Sequence, residues 1–384
     1  MIGALAIDTY LPSFPAIAKA FEVGPVLLQQ SLSLFLFTFA FMMLFYGTLS
    51  DSFGRRPVIL CALLLYTLAS FGAAAAPSYG WLLACRVLQG LAAGAGSVVG
   101  TAIVQDKFSG AAAQRMMSHI MMVFGLAPAI APILGGWLQV SFGWRSIFIF
   151  LGAFGTLMIV SCYRSLPESL PSASRHPFHP VLIAANYLKV LRRRQFLLLG
   201  FAVGLSFGGL ALYIGSAANF VMHILHLPET AFGWMFIPLI SGMVIGSALS
   251  AKIAARVAAR KIIWTGFGLM TTACVFNVSY NYFFVAEIPW AVLPLMLYAF
   301  GLALSTPAIT LQALSQFPEN RGLASSMQSF LQMAVFALVS GLVAPLLFES
   351  ALKMACGVSI GLALSFVFWI LGRPKAAQPE EQAA

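Results

Sequence analysis

An all-α membrane protein, with about twelve transmembrane helices in two six-helix bundles, is the fold class this sequence predicts, on three observations. The first is composition. The 384 residues are 60% hydrophobic and only 8% charged, with mean hydropathy +0.93. A water-soluble chain carries roughly a quarter charged residues, so lipid must be the solvent for most of this surface. The second is that apolar runs of about 20 residues follow one another along the chain, each long enough to cross a bilayer core. The third is that basic residues fall in alternate loops. One set of loops holds Arg55, Arg56, Lys107, Arg115, Arg164, Arg175, Lys189, Arg192, Arg193, Arg194, Lys252, Arg256, Arg260, Lys261 and Arg321, and the tail adds Arg373 and Lys375. The other set holds Lys19, Arg145 and Lys353. This asymmetry puts the rich side, and both termini, in the cytoplasm. It also removes the nucleic-acid reading that a net charge of +10 invites; the basic loops suit anionic lipid head groups instead.

In chain order the runs lie near 1–20, 27–50, 57–76, 80–103, 116–140, 144–164, 196–218, 230–252, 262–283, 289–312, 322–347 and 351–371. The first begins at Met1 with no polar lead-in, and Asp8, Pro12 and Pro15 interrupt it. It lacks the charged n-region of a signal peptide, so either helix 1 is short or the true start lies upstream. The longest polar stretch, Arg164 to Gln195, contains Pro167, Pro171, Pro177 and Pro180 before the Arg192–Arg194 run. It divides the chain into an N-terminal bundle (1–164), a cytoplasmic loop (165–195), a C-terminal bundle (196–372) and a tail (373–384). The loops SDSFGRRPVIL and SAKIAARVAARKII occupy equivalent places in the two halves, a weak sign of duplication. Gly90 and Gly94, Gly96 and Gly100, Gly204 and Gly208, and Gly242 and Gly246 are each four apart. That spacing lets helix backbones approach closely in lipid.

The informative charges lie inside apolar runs: Asp8 in AIDTYLPSFP and Arg86 in LLACRVLQG. A charge in hydrocarbon costs from a few to over ten kcal/mol, so such residues face a bundle interior or an aqueous cavity. Arginine keeps its proton, so Asp8 is the carrier if either residue exchanges one. A nearby Arg86 would support the Asp8 charge against the dry surroundings. The competing readings are that Asp8 caps a break near Pro12 and that Arg86 snorkels to the interface. Pro128 and Pro132, within GLAPAIAPILGG, remove backbone donors and predict bends. In the tight loop GTLSDSFGRRP, Gly47 and Gly54 permit close approach, Asp51 suits a helix cap, and Arg55 suits a carboxylate such as Asp106. The five cysteines stand alone in apolar runs and read as small hydrophobes. His223 and His226 offer two metal ligands with no third nearby, so no metal is expected. The sequence has no HExxH, GxSxG or P-loop, which argues against an enzyme, and no repeated filter segment, which argues against a channel.

Taken together, these motifs resemble the major facilitator superfamily, in its Bcr/CflA drug-resistance branch. GTLSDSFGRRP is similar to the signature loop, RVLQGLAAG to the basic motif of helix 4, and GLAPAIAPILGG to the antiporter motif of helix 5. IDTYLPSFP, DKFSGAAAQRMMS and GWRSIF are also similar to that branch. The resemblance implies a proton-coupled exporter of drug-like compounds in the bacterial inner membrane, working as a single chain by alternating access and needing no cofactor. It implies proton coupling through Asp8 and Arg86. It implies a cytoplasmic gating cluster of Gly47, Asp51, Gly54, Arg55, Arg56 and Asp106, with Asp51 capping a second-half helix in the outward-open state. Gly125, Pro128, Pro132, Gly135 and Gly136 would keep an interface tight against proton leak. Ala127-Pro128 stands where the strict motif has Gly-Pro, and any further upstream carboxylate of helix 1 has no counterpart here. Tyr10, Phe14, Gln89, Tyr213 and Asn219 are the candidates to line the substrate cavity. The alternatives are export of a metabolite such as an amino acid, or proton-linked solute import.

Overall fold

The computed structural model describes residues 2–108, 110–171, 175, 187–254, 256–317 and 321–373, leaving the side chains of 110–111, 113–115, 117–119, 121–126 and 321 outside the description. Every regular element among them is helical. Among the described residues, ten helical stretches are long and apolar enough to cross a membrane, from Pro25–Phe53 to Ala351–Gly372. The expected number was about twelve, and the two further segments differ for separate reasons. The first, α1 (Ile2–Asp8), stops early, turns through Leu11–Ser13 and resumes as α2 (Phe14–Phe21). Pro12 and Pro15 occupy the first positions of the turn and of α2, where a missing N–H costs nothing. Pro12 cannot donate to the Asp8 carbonyl, which weakens the helix where α1 ends. The other segment lies in a longer helix, whose described apolar part is Ala127–Phe142.

The first half continues as α3 (Pro25–Phe53), α4 (Arg55–Ala74), α5 (Tyr79–Ala93), α6 (Ala95–Lys107), α7 (Gly110–Phe142) and α8 (Arg145–Ser165). The run expected near 80–103 is therefore two helices broken at Gly94. Pro128 and Pro132 sit inside α7, which stays helical through both. The second half comprises α9 (Arg194–Gly215), a π-helical turn (Asn219–Ile224), α10 (Gly233–Ile253), α11 (Ala259–Phe283) and α12 (Leu293–Leu314). It closes with α13 (Arg321–Leu338), a second π-helical turn (Val339–Val343), α14 (Ala344–Leu347) and α15 (Ala351–Gly372).

Helices of the first half pack chiefly on one another, as α3 with α5 and α4 with α8. So do those of the second, as α10 and α11 with α12 and α9 with α15. The halves meet where α3 lies against α13 and α7 against α10. Tyr187, in the helical stretch 187–191 between the halves, donates its hydroxyl to the Leu44 carbonyl at 2.6 Å. Large apolar side chains such as Leu68, Val140, Ile245, Val275 and Leu346 point outward, as lipid requires. Cys61 and Cys356 are exposed, Cys85 and Cys274 are buried, and all five cysteines are free.

The small-residue spacings divide into two kinds. A Cβ on Gly90 would lie 2.4 Å from the Phe35 carbonyl oxygen, and one on Gly242 would lie 2.2 Å from that of Met296. Gly96 and Gly100 have nothing within 4 Å and need no glycine for packing. Gly90→Ala should therefore cost about 1–3 kcal/mol through overpacking and lower the melting temperature of the detergent-purified protein by several degrees. Gly96→Ala should leave it unchanged. Equal melting for both variants would refute the close-approach reading.

Candidate functional site

Arg86, on α5, is fully buried. One Nη1 donates to the Ala6 carbonyl at 3.1 Å and to Gln89 Oε1 at 3.0 Å. Gln89 passes the chain on to the Ser70 hydroxyl at 2.8 Å. The guanidinium also lies over the Tyr10 ring at 4.5 Å and the Phe35 ring at 4.3 Å. Rings with negative faces thus do the work a carboxylate was expected to do. Arg86 Nε and Nη2 have no hydrogen-bond partner.

Asp8 is 4% exposed and makes no hydrogen bond or ion pair with a described residue. The expected Asp8–Arg86 pairing is absent. α1 ends at Asp8, and the chain turns through Thr9 and Tyr10. Tyr10 is the residue that meets Arg86, with its hydroxyl 2.8 Å from Ser31 Oγ and its ring against Phe148. Asp8 contributes no group to that cluster.

The five expected cavity residues separate likewise. Tyr10, Gln89 and Tyr213 are packed inside the helices, Tyr213 accepting from Asn277 at 2.9 Å. Phe14 and Asn219 line a cavity of about 280 Å³ between the two halves, beside α2, α3 and α9. Gln29, on another wall of it, was not anticipated. Its Nε2 donates to the Gly215 carbonyl at 2.8 Å, the Ser340 carbonyl at 3.0 Å and Ser340 Oγ at 2.9 Å. Gln30 Nε2 donates to the Gly341 carbonyl at 2.9 Å. Among the described residues, the side-chain hydrogen bonds between the two halves gather at this end, opposite the Gly47–Pro57 loop. The signal was two adjacent amides at the head of an apolar helix.

At that same end the GG pair of α7 serves two neighbours. A Cβ on Gly135 would lie 2.2 Å from the Thr9 carbonyl oxygen, and one on Gly136 would lie 2.3 Å from that of Glu229. Gly135 thus seats α1 on α7, and Gly136 seats the second half. Glu229 also shares a hydrogen bond with Gln139, which accepts from Ser13 Oγ at 2.9 Å. Burial pushes the Glu229 carboxyl above its ordinary range, and the Gln139 bond opposes this only in part. Ala127 is buried, whereas Gly125 lies in the stretch of α7 outside the described side chains.

The basic end is organised by Arg55. It donates from Nη1 to Asp51 Oδ1 and to Ser50 Oγ at 2.6 Å, and from Nε to Asp106 Oδ2 at 3.1 Å. Asp51 makes no cap on α4. That role falls to Glu168, which accepts from the backbone N–H of Arg55 at 3.0 Å and of Arg56 at 3.2 Å. A carboxylate at a helix N-terminus meets unpaired donors and the positive end of the dipole. Gly54 has φ +97°, and a Cβ there would lie 2.6 Å from Glu168 Oε2, so both its conformation and its neighbour demand glycine. Ser169 Oγ donates to Asp106 Oδ2 at 2.8 Å, and Arg56 donates to the Tyr163 carbonyl at 2.7 Å. Nothing within 4 Å constrains Gly47. Burial raises the Glu168 carboxyl, but N–H donors from Leu170, Arg55, Arg56 and Ser169 together outweigh it and hold the group below its ordinary range. Among the described residues no three His, Cys, Asp or Glu side chains stand within reach of one metal ion.

A family model described as Major Facilitator Superfamily matches residues 1–340. A bicyclomycin resistance protein homolog of Haemophilus influenzae is 30% identical over 372 residues, covering 96% of this chain and 93% of its own. The chloramphenicol resistance protein CraA of Acinetobacter baumannii is 27% identical over 329 residues, covering 86% of this chain and 79% of its own. Among solved structures, the xylose transporter XylE from E. coli superposes with TM-score 0.71 at 14% identity, covering 98% of this chain and 97% of that one.

Two outcomes follow from this geometry. Glu168→Gln should speed amide exchange at Arg55 and Arg56 roughly tenfold, the scale of losing charge-assisted hydrogen bonds. Because the folded carboxyl titrates below its unfolded value, the stability difference between wild type and variant is full at neutral pH. It should vanish as pH falls through the lowered value. Thermal melts from pH 7 downward test the sign, and a difference that grows with acid contradicts it. Gly136→Val should force the halves apart at the Gln29 end, read as faster modification of Ser340→Cys by an impermeant maleimide; an unchanged rate contradicts the contact.

Proposed function

The chain belongs to the major facilitator superfamily, a family of multi-pass membrane transporters rather than enzymes, and on that premise we propose that it exports drug-like molecules in exchange for protons. The observation that carries the proton half is Asp8, an acidic side chain buried in an apolar segment with no cationic partner among the described residues. A permanent charge there would be costly, so the carboxyl gains from holding either a proton or a cargo group. Mutually exclusive occupancy then gives cargo and proton different affinities for the two orientations, which is what coupling requires. Arg86 acts as a positioning residue: it holds Ala6 and Tyr10, on either side of Asp8, and so fixes the rotation of the segment that carries the acid. The cargo half draws on relatives named for resistance to bicyclomycin and chloramphenicol and for multidrug transport.

The bias of basic residues toward one set of loops supports an Arg55 cluster at the cytoplasmic face of the bacterial inner membrane, with both termini inside. The Gln29 end is then outermost. The bundles 1–164 and 196–372 would rock about the contacts of α3 with α13 and α7 with α10. The Gln29 and Gln30 bonds break as the outer end opens, and the Arg55, Asp106 and Glu168 cluster stabilises the opposite closure. A monomer suffices, since both halves lie in one chain.

In energised inverted vesicles, adding chloramphenicol should release protons from the lumen. Asp8→Asn should reduce that release to background without loss of folded protein. Release equal to wild type would remove the carboxyl from the mechanism. Arg86→Lys should lower efflux roughly tenfold, since a compact ammonium cannot lie flat over the Tyr10 and Phe35 rings as the planar guanidinium does. Wild-type resistance of an efflux-deficient host carrying the variant would contradict this.

A further inference from the structure

The cavity beside Gln29 is not used by the exchange cycle proposed above. Its volume is about 280 Å³, and both halves build it: Phe14 and Leu28 from the first, Gly215, Asn219 and Phe348 from the second. That size is at the small end of ligand pockets. The wall is mostly apolar, with polar groups converging from one stretch of chain. Ser216 is 3% exposed, lines the cavity, and its Oγ has no hydrogen-bond partner. A buried hydroxyl without a partner is uncommon, because burial strips its water without replacing it.

The backbone explains the convergence. Helix α9 ends at Gly215, and the chain re-enters as a π-helical turn in which the Leu225 N–H bonds to the Phe220 carbonyl at 2.9 Å. Asn219 and His223, four apart in this turn, both line the cavity. Among the described residues that line it, His223 is the one titratable side chain, and no carboxylate, lysine or arginine selects a charged ligand.

We propose that this cavity is a second small-molecule site, for an uncharged, largely apolar compound carrying one carbonyl or hydroxyl, and that its occupant holds the outer end shut. The compound's polar atom meets Ser216 Oγ and the Asn219 amide, while its apolar body lies against Phe14, Leu28 and Phe348. Such a ligand touches both halves beside the Gln29 hydrogen bonds. It therefore binds only while they are closed, and it shifts the cycle by that difference in affinity. The locking effect rests on the proposed opening of the outer end; the site itself does not.

The probe is benzophenone, an uncharged diaryl ketone that crosslinks to adjacent C–H bonds under ultraviolet light. With the full chain in lipid nanodiscs, peptide mapping should place the crosslink on 14–28 and on 215–223. Ser216→Ala should lower that labelling about fivefold, the loss of one hydrogen bond, and Ala218→Phe, which fills the space, should abolish it. Labelling spread over lipid-facing residues such as Trp137 and Phe142, and equal in both variants, overturns the site. For the lock, Ser33→Cys in a cysteine-free background reports opening, since Ser33 is 8% exposed and packs against Gly341. Saturating benzophenone should slow its reaction with an impermeant maleimide severalfold, and not in the Ala218→Phe background. An unchanged rate overturns the lock. A cysteine at 33 that never reacts, even without benzophenone, overturns the opening of the outer end and leaves the mapped site standing.

Discussion

One amide nitrogen, Nε2 of Gln29, meets three oxygens from the other half of the chain. It has only two hydrogens to give, so the oxygens share them. In water such a contact would be worth little, because solvent competes for every partner. Inside a lipid-embedded bundle nothing competes, and each group left alone bears its full desolvation cost. The oxygens are available because regular helix fails there. Gly215 is the last residue of α9, and Ser340 lies in a π-helical turn. Irregular backbone at membrane depth persists only where something satisfies it, and here the opposite half does so. The two halves are thereby set in one register at one end, while the Arg55 cluster organises the other end within its own half.

Arg86 follows from the same constraint. A guanidinium buried without water needs donors met and charge balanced. Two aromatic rings, one backbone carbonyl and one glutamine meet part of that need, with no carboxylate involved, while Nε and Nη2 find no hydrogen-bond partner among the described residues. The consequence reaches Asp8. An aspartate spent on neutralising Arg86 would be locked in its charged form. Because the rings take that duty, Asp8, two residues from both Ala6 and Tyr10, has no cationic partner among the described residues. Gly135 of α7 fixes α1 from the other side, through the Thr9 backbone.

The long spans were legible because lipid imposes length and apolarity directly on sequence; Leu293–Leu314 and Ala351–Gly372 fall close to where the runs place them. Breaks were less legible. Pro12 and Pro15 announced one in α1, whereas Pro128 and Pro132 announced bends in a helix that runs 33 residues through both. Proline removes a donor, but neighbouring groups decide whether the helix yields. The Arg55–Asp106 contact was readable from charge type and loop position. The Asp8–Arg86 pair was not made, since opposite charges in neighbouring segments say nothing of helix rotation. Tyr10 and Gln89 illustrate the same limit: polarity in a span marks a residue that needs partners, and those partners were Ser31, Arg86 and Ser70 rather than a cavity. Glu168 was missed because its role as a cap depends on the fold returning the chain after α8 to the start of α4.

The central claim is that the Gln29 contacts between the halves must break for cargo to cross. Gln29→Cys with Ser340→Cys, bridged by a short bis-thiol crosslinker in an otherwise cysteine-free chain, tests it directly. The account predicts that drug-driven proton movement stops on crosslinking, returns when the bridge is reduced, and persists in either single variant treated the same way. Crosslinked protein that carries cargo at the uncrosslinked rate would contradict it.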